Sequence, residues 1–586
     1  MLDTILLNHS TTHTLLECDY PELHFDANRN TSFFYPYGCG EVRPCAMKTD
    51  YNNVQSYPSY GASMQYLAMF NNVTKRGIYY GLHDTAPAAK KLCCIKKASQ
   101  KSFCLKAFEP LSDIKSGSNG QKLCGTLIWQ AFDGDWYDAA QLYRNFIETE
   151  ARYNADFDIN GRKDVPQWLK NVSHWFNMRV DGNKPFADDV IQKAKEIGVT
   201  SAIHLYYWHE IPFDNDYPHY FPMKSVVKGE LEKLHAAGIK VMPYINGRLW
   251  DTHDKGCQDW QFTSVAKPYT TKKFDGEPFV ETYASKETDG SKVALAVMCP
   301  STTLWQDKVE EIVLSLYDVG FDAVYIDQIA AAEAKPCCDA THNHPLGGGT
   351  WWCQSYNTLL ERIHRKMPAD RAMTTECTAD PFLKYVAGYL SWLWVKNNQV
   401  PAFPAIFSDK VITFGTDFRA FGNFGYGAVG QLDDSGSRIF TAQSFIFGQQ
   451  MGWMMPAVFD AMPHNDFYIK LVREREKLIK FFNAGRLLRP PVVTSNLANN
   501  VSHECREAYD KYVEEPAVTS EVWMHNASGE KVLIAVNAAL EDAETVVKSE
   551  LPDGVYTCDG DVKTITVANG EFKAHIPALG YLAVRF

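Results

Sequence analysis

No uninterrupted apolar stretch in this chain approaches the roughly 18 residues of a membrane-spanning helix, so no membrane span is expected. A basic surplus is missing as well. The net charge is −12, which offers nucleic acid no cationic stripe, and neither nucleic acid nor membrane is expected as a partner. The amino terminus, MLDTILLNHSTTH, carries no basic segment followed by a long apolar one, and a cytoplasmic location is the expectation. The 15 cysteines are an odd number at irregular spacing. Two pairs, Cys93–Cys94 and Cys337–Cys338, are adjacent, and neighbouring cysteines rarely bond each other because the geometry is strained. Reduced thiols are therefore expected. No CxxC pair exists to support a zinc site. No GxSxG is found, which weighs against an α/β-hydrolase, and no GxGxxG with a following acidic residue comes after a strand, which weighs against a dinucleotide enzyme. No cofactor and no metal is expected, and no internal repeat or low-complexity tract is found.

What is abundant points elsewhere. Aromatic residues make up 13% of the chain, with 14 Trp, which suits a protein that stacks on sugar rings, although most aromatics serve cores. At 586 residues two or three domains are expected. Residues 1–133 alternate short apolar runs with Gly, Pro, Asn and Asp turns, as in SMQYLAMFNN and RGIYYGLHD, and predict an N-terminal β-sandwich. Trp136, Ala140, Tyr143 and Phe146 recur at helical intervals, so 134–170 is a helical connector that breaks at Pro166. From 171 to 488 strands and helices alternate, the pattern of a parallel sheet and, at this length, of a (β/α)8 TIM-type barrel. Strands are expected at 173–180, 201–210, 240–251, 321–327, 371–376, 385–395 and 409–415, with an eighth within 437–455. Residues 489–586 predict a small C-terminal antiparallel β domain. The fold class is multidomain α/β.

The chemistry concentrates between Phe321 and Glu376. FDAVYIDQI reads as a buried strand that ends in Asp327, and RAMTTE as a strand that ends in Glu376. A loop and a helical segment, Tyr356 to His364, lie between them, which makes a βαβ unit. Its two strand ends emerge on the same side, so the carboxylates can face one pocket. Two carboxylates in one cleft are the minimum equipment for glycoside hydrolysis, Asp327 as nucleophile and Glu376 as acid/base. The bland readings are a helix cap or rim salt bridge for Asp327 and a hydroxyl ligand for Glu376. Glu210, Asp251 and Asp417 also occupy predicted strand ends, and any of them can be the true partner or a sugar ligand. Substrate contacts are expected from Trp208, His209, Glu210, Asn246, Arg248, Asp251, Gln328, His344, Trp351 and Asp417, with Arg248 and Asp251 close enough in sequence to act together. In HNHPLGGG the HxH spacing alone is more often a hydrogen-bonding pair than a metal site, and GGG lacks the Lys of a phosphate loop. A mobile rim loop that touches substrate through His344 or Trp351 is expected.

A sandwich, then GDWYDAAQLYR, RKDVPQWL, YINGRLWD, VYIDQI, HNHPLGGG and TTE, resembles a bacterial family of glycoside hydrolases catalogued mainly as a domain of unknown function. The layout is similar to that of α-N-acetylgalactosaminidases and, more distantly, of α-galactosidase-like retaining enzymes. The resemblance implies that Asp327 corresponds to the nucleophile and Glu376 to the acid/base, with a galactose- or N-acetylgalactosamine-type sugar in a small glycoside or glycopeptide. The longer gap between the two carboxylates is a departure. Asp-Gln after the fourth strand also differs from the Asn-Glu pair of the β-acting barrel clan. The expectation is thus a retaining, exo-acting α-glycosidase, with homo-oligomerisation left open. Two other readings stand: a sugar lyase or isomerase with Glu376 as base and a metal at the HxH, and a carbohydrate-binding protein on a decayed hydrolase scaffold.

Overall fold

Between residues 174 and 454, short and almost wholly buried strands alternate with helices that bury one face, and a run buried on both faces is stable only in a sheet covered on both sides. The strands are β1 (His174–Arg179), β2 (Ser201–Tyr206), β3 (Lys240–Asn246), β4 (Ala323–Asp327), β5 (Ala372–Glu376), β6 (Gly388–Leu390), β7 (Ile412–Phe414) and β8 (Met451–Met454). All pair in parallel, in the order β7-β6-β5-β4-β3-β2-β1-β8. Phe414 bridges Gln450 in parallel, and the Gln450 amide donates to the Thr413 carbonyl at 2.9 Å, which draws β7 and β8 together into an eight-stranded barrel. The computed structural model describes the chain apart from residues 1–2, 27, 47–49, 98, 100–101, 124, 254–260, 417–432 and 504–511.

The outer helices include α1 (Ala187–Ile197), α2 (Val227–Ala236), α3 (Thr303–Val319), α4 (Trp351–Lys366), α5 (Ala402–Phe407), α6 (Asp434–Ile446) and α7 (Asn465–Lys477). Their ends follow local rules. Asp188 and Asp189 sit in the first turn of α1, where the helix dipole favours negative charge, and Gly198 closes it in the left-handed conformation.

Four strand expectations change, the sixth shrinking from 385–395 to Gly388–Leu390. The second strand stops at Tyr206, because Tyr207 adopts a φ of 55° and turns the chain out of the sheet. The third stops at Asn246, and Leu249–Asp251 joins an antiparallel sheet with Val280–Lys286 and Lys292–Val297, so the excursion after β3 is partly ordered as a three-stranded sheet. The eighth is only Met451–Met454. The preceding SRIFTAQSFI belongs to α6, whose residues from Gly436 onward are buried on every side, and an apolar run of that kind does not distinguish strand from helix.

Two antiparallel sheets precede the barrel. One holds Thr126–Asp133, Arg76–His83, Tyr66–Asn71, Thr31–Tyr35 and Glu41–Pro44; the other holds Glu17–Asp26, Ser102–Pro110, Lys90–Lys96 and Tyr51–Tyr57. Strand alternation divides their side chains. Phe33 and Tyr35 pack with Leu92, Phe103 and Leu105 between the sheets, whereas Phe34, Tyr66 and Tyr79 join the core that contains Tyr143 and Phe146 and continues into the barrel. Tyr143 and Phe146 lie on the helix Trp136–Thr149, which starts at a capping box between Asp135 and Asp138. After the barrel, a five-stranded and a three-stranded antiparallel sheet enclose a separate core with Leu533, Val547, Phe572 and Leu582.

Candidate active site

The period of two along each strand decides which side chains enter the barrel. Tyr325 and Asp327 on β4, Tyr244 and Asn246 on β3, and Thr374 and Glu376 on β5 are spaced by two, and each set ends at the C-terminal end of its strand. Register does the rest. Asn246 pairs with Asp327, and Ile326 with Thr375, so the next pair along is Asp327 with Glu376.

Asp327 is 9% exposed. The Tyr244 hydroxyl donates to its Oδ2 at 2.8 Å, the Asn246 amide to the same oxygen at 3.4 Å, and the Tyr325 hydroxyl to Oδ1 at 3.4 Å. Burial, then the charge of Glu376, then a hydrogen bond with Glu376 hold the Asp327 carboxyl well above the usual carboxylate range, and the Tyr244 and Tyr325 hydroxyls oppose that shift. Asp327 and Glu376 thus stand near enough for the Glu376 carboxylate to act on Asp327. Glu376, half-buried, also accepts from the Trp392 indole at 3.1 Å.

Four further groups join this mouth, and the sequence analysis assigned none of them. Asp214, on the segment after β2, has its carboxyl pushed up to about 7 by burial and then by Asp327. Trp453 at the end of β8 adopts a φ of 74° and donates to His204 Nδ1 at 3.0 Å. Tyr60, from a turn of the N-terminal sandwich, has its hydroxyl raised first by burial and also by the charges of Cys377 and Glu376. Glu281, on the inserted sheet, holds Arg248 at 2.7 and 2.9 Å. A positive φ or a one-residue acidic signal in a loop has no periodicity, so none of these is visible before folding.

The predicted contacts divide. Asn246 and Gln328 stand with Asp327: Gln328, at a φ of 68°, donates to the Tyr283 hydroxyl at 3.0 Å and accepts from Arg248 at 3.4 Å. Arg248 is present but paired otherwise than expected. Its partner is Glu281, whereas Asp251 accepts from the backbone amides of Asp216 at 2.7 Å and His253 at 2.9 Å and has its carboxyl raised to about 6 by burial. Trp208 is a core residue: fully buried, it donates to the Tyr244 carbonyl at 2.8 Å and packs on Tyr220 and Phe321. His209 is buried beside it with Nδ1 at 2.7 Å from the Ile211 carbonyl, and burial lowers its pKa to about 4. Glu210 is exposed, because the chain has already left β2. Asp417 lies outside the described residues.

The HNHPLGGG loop is pinned to its surroundings, a correction to the mobile rim expected for it. The Gly348 amide donates to the Leu111 carbonyl at 2.9 Å and the Gly347 amide to the Cys337 carbonyl at 2.7 Å. A Cβ on Gly348 would stand 2.0 Å from the Pro110 carbonyl oxygen, so the glycines serve close approach to the sandwich. His344 stacks on Trp351 at 3.8 Å, and the Trp351 indole donates to the Gly347 carbonyl at 2.9 Å. His344 and Trp351 thus hold each other at the start of α4. Cys299, Cys337, His342 and His344 also converge, with ligand atoms all within 4.8 Å of one another.

Residues 122–418 match the model of a family described as "Domain of unknown function (DUF6259)". The chain belongs to the DUF6259 family. This DUF6259 chain is 27% identical over 535 residues to a curated protein of Bacteroides thetaiotaomicron named "Putative glycoside hydrolase", covering 88% of the chain and 74% of that protein. It is 25% identical over 573 residues to "Putative glycoside hydrolase 22789" of Monosiga brevicollis, covering 88% of the chain and 46% of that protein, so it spans less than half of this longer relative. Among solved structures, the ligand-free α-N-acetylgalactosaminidase NagBb of Bifidobacterium bifidum matches with a TM-score of 0.62 at 13% identity, covering 89% of this chain and 82% of that one. The GH36 α-galactosidase AgaB of Geobacillus stearothermophilus matches with a TM-score of 0.54 at 8% identity, covering 96% and 75%. At such identities the likeness is one of fold. The DUF6259 barrel is thus built like those of known glycosidases.

Proposed function

We propose that the protein is a retaining, exo-acting α-glycosidase for a galactose- or N-acetylgalactosamine-type sugar, with Asp327 as nucleophile and Glu376 as acid/base. The observation that carries this reading is the placing of the two acids at the C-terminal ends of adjacent, paired barrel strands, near enough for the charge of Glu376 to raise the Asp327 carboxyl. Retaining enzymes keep their carboxyl groups about 5–5.5 Å apart, and inverting ones about 6.5–9.5 Å to seat a water. Acids at the ends of paired neighbouring strands favour the shorter separation. The names of the curated relatives and of the structural neighbours support the glycosidase reading and the anomer.

One proton shared by a coupled pair fits both roles. Asp327 accepts from two tyrosine hydroxyls and an amide, which favours its anion. This reading assigns the shared proton to Glu376, as an acid requires. Glu376 protonates the glycosidic oxygen while Asp327 attacks the anomeric carbon, which breaks the glycosidic bond and forms a glycosyl ester. The Glu376 carboxylate then takes a proton from water, whose oxygen replaces Asp327 at that carbon.

The test uses aryl α-galactosides and α-N-acetylgalactosaminides. Asp327→Ala is expected to abolish turnover without lowering Tm by more than a few degrees. Glu376→Ala is expected to spare substrates with good leaving groups and to recover rate with azide. An α-anomer as first product by NMR supports retention. A β-anomer, or an active Asp327→Ala protein, overturns the assignment.

A further inference from the structure

The strand that ends in Asp327 and the helix α4 are joined by residues 328–350, a connection without regular structure that is far longer than the two to six residues usual in such units. Something other than a ladder must hold it. Cys337, His342 and His344 lie on this loop, and Cys299 lies just before α3, so four ligands of the two types zinc favours arrive from two separate segments of the chain.

The spacing fits a tetrahedral ion. Bonds of about 2.3 Å to sulfur and about 2.0–2.1 Å to nitrogen place neighbouring S and N atoms about 3.5 Å apart. Cys299 Sγ is 3.5 Å from His344 Nε2, and Cys337 Sγ is 3.5 Å from His342 Nδ1. The opposite ring nitrogens are already committed. His342 Nε2 is 2.8 Å from the Pro268 carbonyl oxygen and His344 Nδ1 is 2.7 Å from that of Pro345. Each of those nitrogens must carry the hydrogen, because a carbonyl only accepts, so each neutral ring turns its lone pair toward the sulfurs. Metal-bound histidines are oriented in this way. The Lys272 backbone amide also points at Cys337 Sγ at 3.3 Å, a donor suited to a thiolate. The two cysteines and His342 are buried, and His344 is half-buried under Trp351.

We propose that Cys299, Cys337, His342 and His344 form a structural Zn2+ site that fastens the 328–350 loop to the segment leading into α3. Binding one Zn2+ releases the two thiol protons, and two thiolates with two neutral imidazoles bring the ion to zero net charge, which a buried site requires. All four positions are protein ligands, so the ion is closed to water and plays no part in the reaction. The inference stands independently of the glycosidase reading.

The test is metal analysis of the full-length, tag-free protein expressed with zinc and dialysed. About one zinc per chain is expected. Cys299→Ser and Cys337→Ser should each carry less than about a fifth of that, and His344→Ala should weaken retention against a chelator about 10- to 100-fold. Replacement by Co2+ should give the intense visible bands of a tetrahedral thiolate site, and stripping the metal from the wild-type protein should expose two thiols to Ellman's reagent. Wild-type protein without stoichiometric metal, or with a Cys299–Cys337 disulfide by mass spectrometry, overturns the proposal. So does full zinc content in folded Cys299→Ser protein. Because the wild-type measurements need no variant to fold, an unstable variant leaves the decision intact.

Discussion

Tyr244 makes the shortest hydrogen bond to Asp327, at 2.8 Å, and the difference between an ionised and a neutral Asp327 passes through it. A bond to a charged group contributes about 1.5–3 kcal/mol, so Tyr244→Phe should lower kcat about 10- to 100-fold. The sign of its pH effect follows from the donor. Removing a hydroxyl that favours the anion raises the Asp327 pKa further, and the acid limb of kcat/KM should move to higher pH. Asp214→Asn works in the opposite direction. Asp214 is a second acid beside Asp327, and each raises the other, so deleting its charge should shift the acid limb to lower pH. If both variants leave that limb where it is, Asp327 is not the group that titrates. Sequence reasoning reached Asp327 and Glu376 because a strand ending in an acid is a local pattern. It missed Asp214 because the chain between β2 and α2 has no period from which a side chain's direction can be inferred.

At the level of elements, β3 and β4 approach each other closely at the mouth. Gly247 follows the last residue of β3, and its amide donates to the Asp327 carbonyl at 3.1 Å. A Cβ there would meet Ile326 Cγ2 at 2.5 Å and Ile329 Cγ1 at 3.1 Å, in a packed core. Gly247→Ala should therefore destabilise by about 1–3 kcal/mol, seen as a lower Tm, and should reduce kcat more than a surface Gly→Ala change such as Gly229→Ala, which meets nothing within 4 Å. An unchanged Tm would mean that β3 and β4 have more slack than these distances allow. The strand ends were misjudged at β2 and β3 for a related reason. HLYYWHE and INGRLWD stay apolar past the sheet, and only the turn at Tyr207 and the pairing of Leu249–Asp251 with the inserted sheet end them.

Across the whole molecule, Asp380 ties three parts together. It follows β5, and it accepts from Tyr57 of the N-terminal sandwich at 2.8 Å and from Tyr143 of the connecting helix at 2.5 Å. Burial pushes its carboxyl up to about 7, above its unfolded value near 3.8. The folded state thus binds more protons than the unfolded one between those values. The contribution of Asp380 to stability is highest below about pH 4, falls as pH rises to about 7 and then levels, by an amount on the order of 4 kcal/mol. Asp380→Asn cannot ionise. The Tm of the variant relative to wild type should rise steadily from pH 4.5 to pH 8, and a constant difference would show that Asp380 ionises as freely in the folded protein as in the unfolded one.

Local pattern alone determined the alternation of strands and helices, the sandwich strands at the beginning and the two acids at strand ends, because hydrophobic period and turn chemistry act over a few residues. Partner choice belonged to the tertiary structure. Arg248 took Glu281, 33 residues away, over Asp251, 3 residues away, because the inserted sheet delivers a carboxylate across the barrel mouth. Trp208 and His209 turned into the core, and Cys299 met His344 from 45 residues away. No spacing in the chain encodes such encounters. They arise when packed elements place two distant side chains in a space that water has left, where a polar group must find whatever partner the fold brings.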